Sequence, residues 1–377
     1  MAGLYIHIPF CKSRCIYCAF YSSTRIEMRE RYVDALCREM RMRRGEAEEE
    51  IIGTVYLGGG TPSLLTQRQA EKVFASIDED YSHRPWEEME VTMECNPDDV
   101  TAEYAAMIGR LPVNRVSMGV QSFDDERLRF LHRRHKAGDI ATAMDRLRRN
   151  GIGNVSIDLM FGFPGQTPEE WREDIGKAIA LGPEHISAYS LMVEEGTRLE
   201  RMIDSGEVEE NDEETCRRMY YDLIDMLTAA GYEHYEISNF SLPGHRSRHN
   251  SSYWDGTPYL GFGAAAHSYN GRRRQWNVDN MKKYIEEIED GRVPEEHEDI
   301  DEVMGYNDMI TTALRTAEGI DVSTIEKPYR EYLLCMAAPH VERGMLVRDG
   351  NRIHLSREGL YTSNDILSDL IFLNEQR

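Results

Sequence analysis

The sequence predicts an α/β protein: a partial, three-quarter TIM-like barrel followed by a smaller helical, winged-helix-like module. Three observations predict it. Short β-rich runs alternate with amphipathic helical segments over the first two-thirds of the chain, which is the signature of parallel strands joined by crossover helices. Glycine or polar residues recur after nearly every β-rich run, where such barrels gather their chemistry. The last quarter changes character, with helical segments followed by a hairpin signal.

Six strands are expected, at residues 4–9, 54–57, 90–94, 115–120, 155–161 and 186–192. Amphipathic segments between them, such as 28–43, 67–77, 137–149 and 169–181, provide the crossovers. Each strand leads into a distinctive segment. After the first come Cys11, Cys15 and Cys18, and after the second Gly58-Gly59-Gly60-Thr61-Pro62-Ser63, whose bare backbone lets a ligand approach closely. The third ends in Glu94 before Asn96-Pro97, and the fourth in Gly119-Val120-Gln121-Ser122. The fifth carries Asp158 ahead of Gly162-Phe163-Pro164-Gly165. Taken singly, a glycine run reads as a tight turn and a lone carboxylate as a helix cap; the shared position at strand ends joins them. An acidic stretch from Glu286 to Glu302, with Arg292 its one basic residue, reads as a solvent-facing boundary. Beyond it, helical patterns at 303–314 and 329–341 precede two short strands around Asp349-Gly350, strong turn chemistry for a hairpin. The expected division is a barrel over 1–240, a binding segment and acidic linker over 241–300, and the terminal module over 301–377.

The cysteine loop carries the chemistry. Spacing of three residues and then two lets three thiolates converge from one tight loop, whereas a cube of iron and sulfide needs four ligands to be closed. An iron left open accepts a small bidentate molecule, and the amino and carboxylate groups of a methionine moiety fit that vacancy: radical S-adenosylmethionine (SAM) chemistry on a 4Fe-4S cluster. The competing reading is an incomplete zinc knuckle, but zinc sites of that kind pair two separated cysteine couples, or cysteines with histidines.

Composition narrows the class. With 44 basic and 67 acidic side chains the net charge is -23, which repels a phosphate backbone, so nucleic acid is excluded as the expected partner. Seven cysteines, three of them in one loop and Cys37, Cys95, Cys216 and Cys335 scattered, do not make a disulfide framework and indicate a reducing compartment. No basic leader precedes an apolar run, and no run approaches about eighteen apolar residues. The expectation is a cytoplasmic protein without an integral membrane segment.

The segments Tyr5-Ile6-His7-Ile8-Pro9-Phe10-Cys11, Gly58 to Ser63, Gly119-Val120-Gln121-Ser122 and Ile157-Asp158-Leu159-Met160-Phe161-Gly162 resemble the radical SAM group that contains oxygen-independent coproporphyrinogen III oxidase. The resemblance spans essentially the whole chain. It implies cluster ligands Cys11, Cys15 and Cys18, and contacts to SAM from Tyr5, Gly59, Gly60, Thr61, Glu94, Gln121, Arg133 and Asp158. Two features depart from the oxidase. It has a further cysteine two places after the third ligand, where this chain has Phe20, and a long amino-terminal extension, where only four residues precede Tyr5 here. The segment His249-Asn250-Ser251-Ser252-Tyr253-Trp254 resembles instead the His-Asn-x-x-Tyr-Trp signature of the heme chaperones of this group.

That segment suits a heme on chemical grounds. A neutral imidazole ligates iron, the faces of Tyr253 and Trp254 seat a macrocycle, and Arg246, Arg248, Arg272, Arg273 and Arg274 cluster nearby to fork onto two propionates. A histidine beside aromatics is also a common structural contact, and His234, His245 and His267 are rival ligands. The leading expectation is a heme-binding chaperone that hands heme to an acceptor protein, with an electron donor for its cluster. The alternative is a decarboxylase of porphyrinogen propionates, and a third class is a radical enzyme that degrades or alkylates heme.

Overall fold

The computed structural model describes residues 1–47, 50–81 and 84–373. All six expected strands are present: β1 (Ala2–Ile8), β2 (Ile52–Gly59), β3 (Glu90–Cys95), β4 (Arg115–Gln121), β5 (Asn154–Phe161) and β6 (His185–Ser190), paired in parallel in that order. The sixth stops at Ser190, short of the expected Met192. Crossover helices follow the expected periodicity, and their ends have identifiable causes. Pro168–Leu181 begins at Thr167 in a capping box with Glu170, has Pro168 in its first turn, and stops at Gly182 with φ +66°.

Direct pairing fixes which side chains share a face, and the parity is consistent across the sheet. Leu4, Val55, Val91, Val116 and Ile157 face outward and are fully buried under the helices. Their neighbours Tyr5, Tyr56, Thr92, Arg115, Ser156 and His185 face the lumen. A TIM barrel normally fills its interior with branched apolar residues. Here the apolar core lies between strands and helices, and the lumen is polar.

The rest of the sheet was not expected. β7 (Glu233–Glu236) and β8 (Asn239–Ser241) continue antiparallel from β6 on one side. On the other side β9 (Tyr259–Phe262) pairs parallel with β1, and β10 (His267–Tyr269), β11 (Arg273–Asn277) and β12 (Glu295–Asp299) extend it antiparallel. The described residues thus form one open twelve-stranded sheet. Within the acidic segment, Glu295–Asp299 is an exposed edge strand, cross-linked by Arg273 to Asp299 and Arg274 to Glu298. Strands β9 to β12 thus belong to the main sheet. Charge on an edge strand prevents edge-to-edge association.

The terminal part gathers around its own apolar cluster, including Ile310, Leu333, Ile353 and Leu370, with helices Glu302–Ala313 and Lys327–Glu342. Its three-stranded sheet consists of β13 (Ile320–Asp321), β14 (Leu346–Asp349) and β15 (Arg352–Leu355), the last two forming the expected hairpin. It contacts the barrel through Arg357 with Asp225 and the Tyr361 hydroxyl donating to the Glu213 carbonyl. No helix among the described residues is long and apolar enough to cross a membrane.

Candidate functional site

The loop after β1 is pinned at both ends. Cys11 N–H donates to the Ser23 carbonyl and Ser23 N–H to the Pro9 carbonyl, while Ile16 N–H donates to the Leu131 carbonyl and packs with Leu131 and Leu199. Cys11, Cys15 and Cys18 consequently line one cavity of about 150 Å³, together with Gly59, Gly60, Thr61 and Arg133. All seven cysteines are free. No group of three or more His, Cys, Asp or Glu among the described residues is drawn close enough for a single metal ion. Three soft thiols from one loop lining a single cavity suit a polynuclear iron–sulfide group.

Arg133 reaches the same cavity from the turn after helix Asp125–Phe130. Its guanidinium donates to the Asn96 side chain and the Gly119 carbonyl and lies 3.7 Å from Cys15 Sγ, a cation beside the three cysteines. Thr61 Oγ1 is 3.6 Å from Cys11 Sγ and accepts from Asn96 Nδ2. Asn96 therefore ties β3 to both the cysteines and Arg133. It was visible in the sequence only as the residue before a proline.

The glycine run does something other than leave open space. A side chain on Gly58 would meet Tyr56 and Glu94 within 3 Å, and one on Gly60 would meet backbone atoms of Ile8, Pro9 and Phe10 at 2.8 Å. Gly59 has φ +103°, and its Cβ would sit 2.3 Å from the His7 ring. The run is small first because the cysteine loop and lumen side chains press against it. Gly59 and Gly60 still face the cavity.

Tyr5, Glu94, Gln121 and Asp158 sit deeper, on the strands themselves. Glu94 accepts from Tyr56 Oη at 2.8 Å and Gly59 N–H at 3.2 Å. Burial, and secondarily the charge of Asp158, push its carboxyl up to about 7 despite those donors. Asp158 accepts from Ser117 Oγ and is likewise raised, chiefly by burial. Gln121 adopts φ +66° at a bulge against β5, a left-handed conformation that a non-glycine residue holds only where its surroundings require it. Tyr5 donates to or accepts from His7 Nδ1 at 3.0 Å.

The Glu94 shift has a thermodynamic consequence. Its folded value of about 7 exceeds the reference 4.5, so the native state holds a proton that the unfolded state releases, and stability falls as pH rises from about 4.5 to about 7. That difference corresponds to roughly 3 kcal/mol. Glu94→Gln in cluster-free protein is expected to flatten the loss, read as denaturation midpoint against pH. An unchanged slope would place the proton elsewhere.

The residues expected around a macrocycle lie at the opposite end of the barrel. Helix Arg248–Asp255 closes its amino-terminal end, with the Glu90 carboxylate accepting from Arg248 N–H and His249 N–H, each at 2.9 Å. His249 is 1% exposed; Nδ1 is 2.8 Å from Thr54 Oγ1, Nε2 is 3.0 Å from Tyr253 Oη, and the ring stacks on Tyr56 at 5.1 Å. Burial takes its pKa down to about 3, so it is neutral. Trp254 Nε1 is buried without a hydrogen-bond partner among the described residues. The arginines do not converge on this helix. Arg246 pairs with Glu233 and Glu318, Arg273 with Asp299, and Arg274 with Glu298 and Asp308. Arg248 donates to the Glu88 carbonyl, and Arg272 lies on an exposed turn. Of the rival histidines, His234 stacks on Phe240 at 4.3 Å and His267 on Trp276 at 6.0 Å.

Residues 5–178 match the radical SAM superfamily model, which spans the first five strands and the cysteine loop. The chain is 34% identical to the heme chaperone HemW of Bacillus subtilis over all of both chains, and 32% identical to that of Lactococcus lactis over 97% of this chain and 96% of the other. The chain belongs to the HemW family. Its fold is that of the solved coproporphyrinogen III oxidase HemN of Escherichia coli, described as a radical SAM enzyme, with TM-score 0.84 and 21% identity over 98% of this chain and 90% of that one. HemW membership within the radical SAM superfamily implies the 4Fe-4S cluster and SAM.

Proposed function

We propose that this protein is a heme chaperone: it binds heme, holds a 4Fe-4S cluster on Cys11, Cys15 and Cys18 with SAM beside it, and passes heme to an acceptor protein in the cytoplasm. The observation that carries this reading is the end-to-end similarity to the heme chaperone HemW of Bacillus subtilis. Phe20 supports it against the decarboxylase reading. It occupies the position of the oxidase's additional cysteine, lines the cavity, and is 73% exposed.

When bound, the cluster and SAM supply one-electron chemistry. The chain's own part is to orient and enclose. Arg133 balances thiolate charge, Asn96 fixes Arg133 and Thr61, and Tyr5, Gln121 and the Glu94–Asp158 pair offer hydrogen-bonding groups for the amino, ribose and adenine portions of SAM. His249 ligates iron only if Nε2 gives up the Tyr253 hydroxyl and the helix that closes the barrel moves.

The test pairs two measurements on cluster-reconstituted full-length protein under anaerobic conditions. Titration with heme should saturate near one per chain, and incubation with coproporphyrinogen III, SAM and reductant should yield no protoporphyrinogen. Absence of saturable heme binding together with product formation would establish the decarboxylase instead.

A further inference from the structure

The heme-chaperone reading leaves the seat of the macrocycle open, and the closed end of the barrel is a poor one, because both His249 nitrogens are engaged inside. The opposite end is built differently. The cavity that holds the cysteines opens past Phe20 and His132. Phe20 is among the most exposed large apolar side chains, and Met192, 65% exposed, stands on the loop whose Leu191 and Val193 pack with Ile16 and Leu131. Phe20, on the wall of the cavity, offers an exposed ring to the face of a flat apolar ligand.

His132 has the features of an iron ligand poised for use. It is exposed, and its backbone holds φ +61°, a conformation disfavoured for a non-glycine residue and concentrated at functional sites. One side chain alone occupies its ring among the described residues: Arg198 Nη1 lies 3.3 Å from Nε2. Arg198 is itself exposed, so freeing the nitrogen moves one surface group and breaks no buried bond.

Charge points the same way. In a chain of net charge -23, Arg14 and Arg198 both flank this opening without an ion pair among the described residues; Arg14 donates only to the Ser22 carbonyl. Most arginines around the helix at the other end are neutralised by carboxylates. An apolar plate carrying two carboxylates and an iron needs an apolar rest, two cations and an imidazole, and this rim presents all of them.

We propose that heme docks across the open, cysteine-bearing mouth of the barrel, with His132 as an axial ligand, Phe20 against the porphyrin face, and Arg14 and Arg198 on the propionates. This assignment rests on the heme-binding reading above and adds where and by which residues.

The test is an anaerobic absorption titration of full-length, cluster-reconstituted protein with hemin, comparing wild type, His132→Asn, Phe20→Ser and His249→Ala. Asparagine tolerates the left-handed backbone, and Phe20 is a surface side chain, so both variants should keep the wild-type melting midpoint. His132→Asn is expected to shift the Soret band and weaken binding about tenfold or more, Phe20→Ser to weaken it without the shift, and His249→Ala to keep the wild-type spectrum. Wild-type spectrum and affinity in His132→Asn would overturn the assignment and leave heme binding standing. Failure of the wild type itself to bind hemin would instead overturn the function.

Discussion

Cys15→Ser is expected to abolish nearly all visible absorption that appears on anaerobic reconstitution with iron and sulfide, while leaving the fold intact. A serine hydroxyl does not ionise in the range where a thiol does and is a hard ligand for a soft site. No substitute is at hand. Cys95 is buried on the outward face of β3, and Cys37, Cys216 and Cys335 lie on helices; none lines the cavity. Cys15 itself is only partly buried, and its loop is fixed by backbone hydrogen bonds on either side, so the melting midpoint of cluster-free protein should scarcely change. Full absorption in the variant would show that the cluster is held elsewhere.

Glu39→Ala is expected to cost about 3–5 kcal/mol, since it leaves four buried donors without their acceptor and buried Arg43 with Glu46 as its remaining carboxylate. Glu39 is completely buried and accepts four hydrogen bonds, from Arg43 Nη1 at 2.8 Å, Gly263 N–H at 2.8 Å, Asn277 Nδ2 at 2.7 Å and Tyr284 Oη at 2.6 Å. Arg43, 3% exposed, is left facing the Gly261 carbonyl, Ser268 and Glu46. The network is what fastens the β9–β11 extension to helix Arg29–Arg43. Urea denaturation followed by far-UV circular dichroism measures the loss, with Glu39→Gln expected to recover part of it. A cost below about 1 kcal/mol would mean that Arg43 finds a replacement partner or water.

This network also shows where sequence reading stops. Glu39 and Asn277 are 238 residues apart, and nothing local to either one marks the other. The six parallel strands were legible because their outward faces are strongly apolar and amphipathic helices separate them. β7 to β12 were not, because they run three to five residues and one of them reads Glu-Glu-His-Glu-Asp, a composition that any local reading assigns to solvent. The cysteine loop was legible from spacing alone. Asn96 and His132 were not, since what singles them out is a partner across the cavity in one case and a backbone angle in the other. The arginines near residue 270 cluster in sequence but are spent on carboxylates that the fold brings from 298, 299 and 308.

The parity of the strands has a consequence for how such a chain changes over time. On β1, Leu4, Ile6 and Ile8 serve only the packing of the outer shell, while Tyr5 and His7, one residue away, serve only the lumen. Each strand is therefore written as two interleaved messages, one specifying the scaffold and the other its contents. Because the annular core does not pass through the centre, a substitution at a lumen position alters hydrogen bonding and charge without opening a void among the methyl groups that hold the shell together. The same scaffold is free to be refitted for a different ligand, one alternate residue at a time, with its foldedness underwritten by the residues in between.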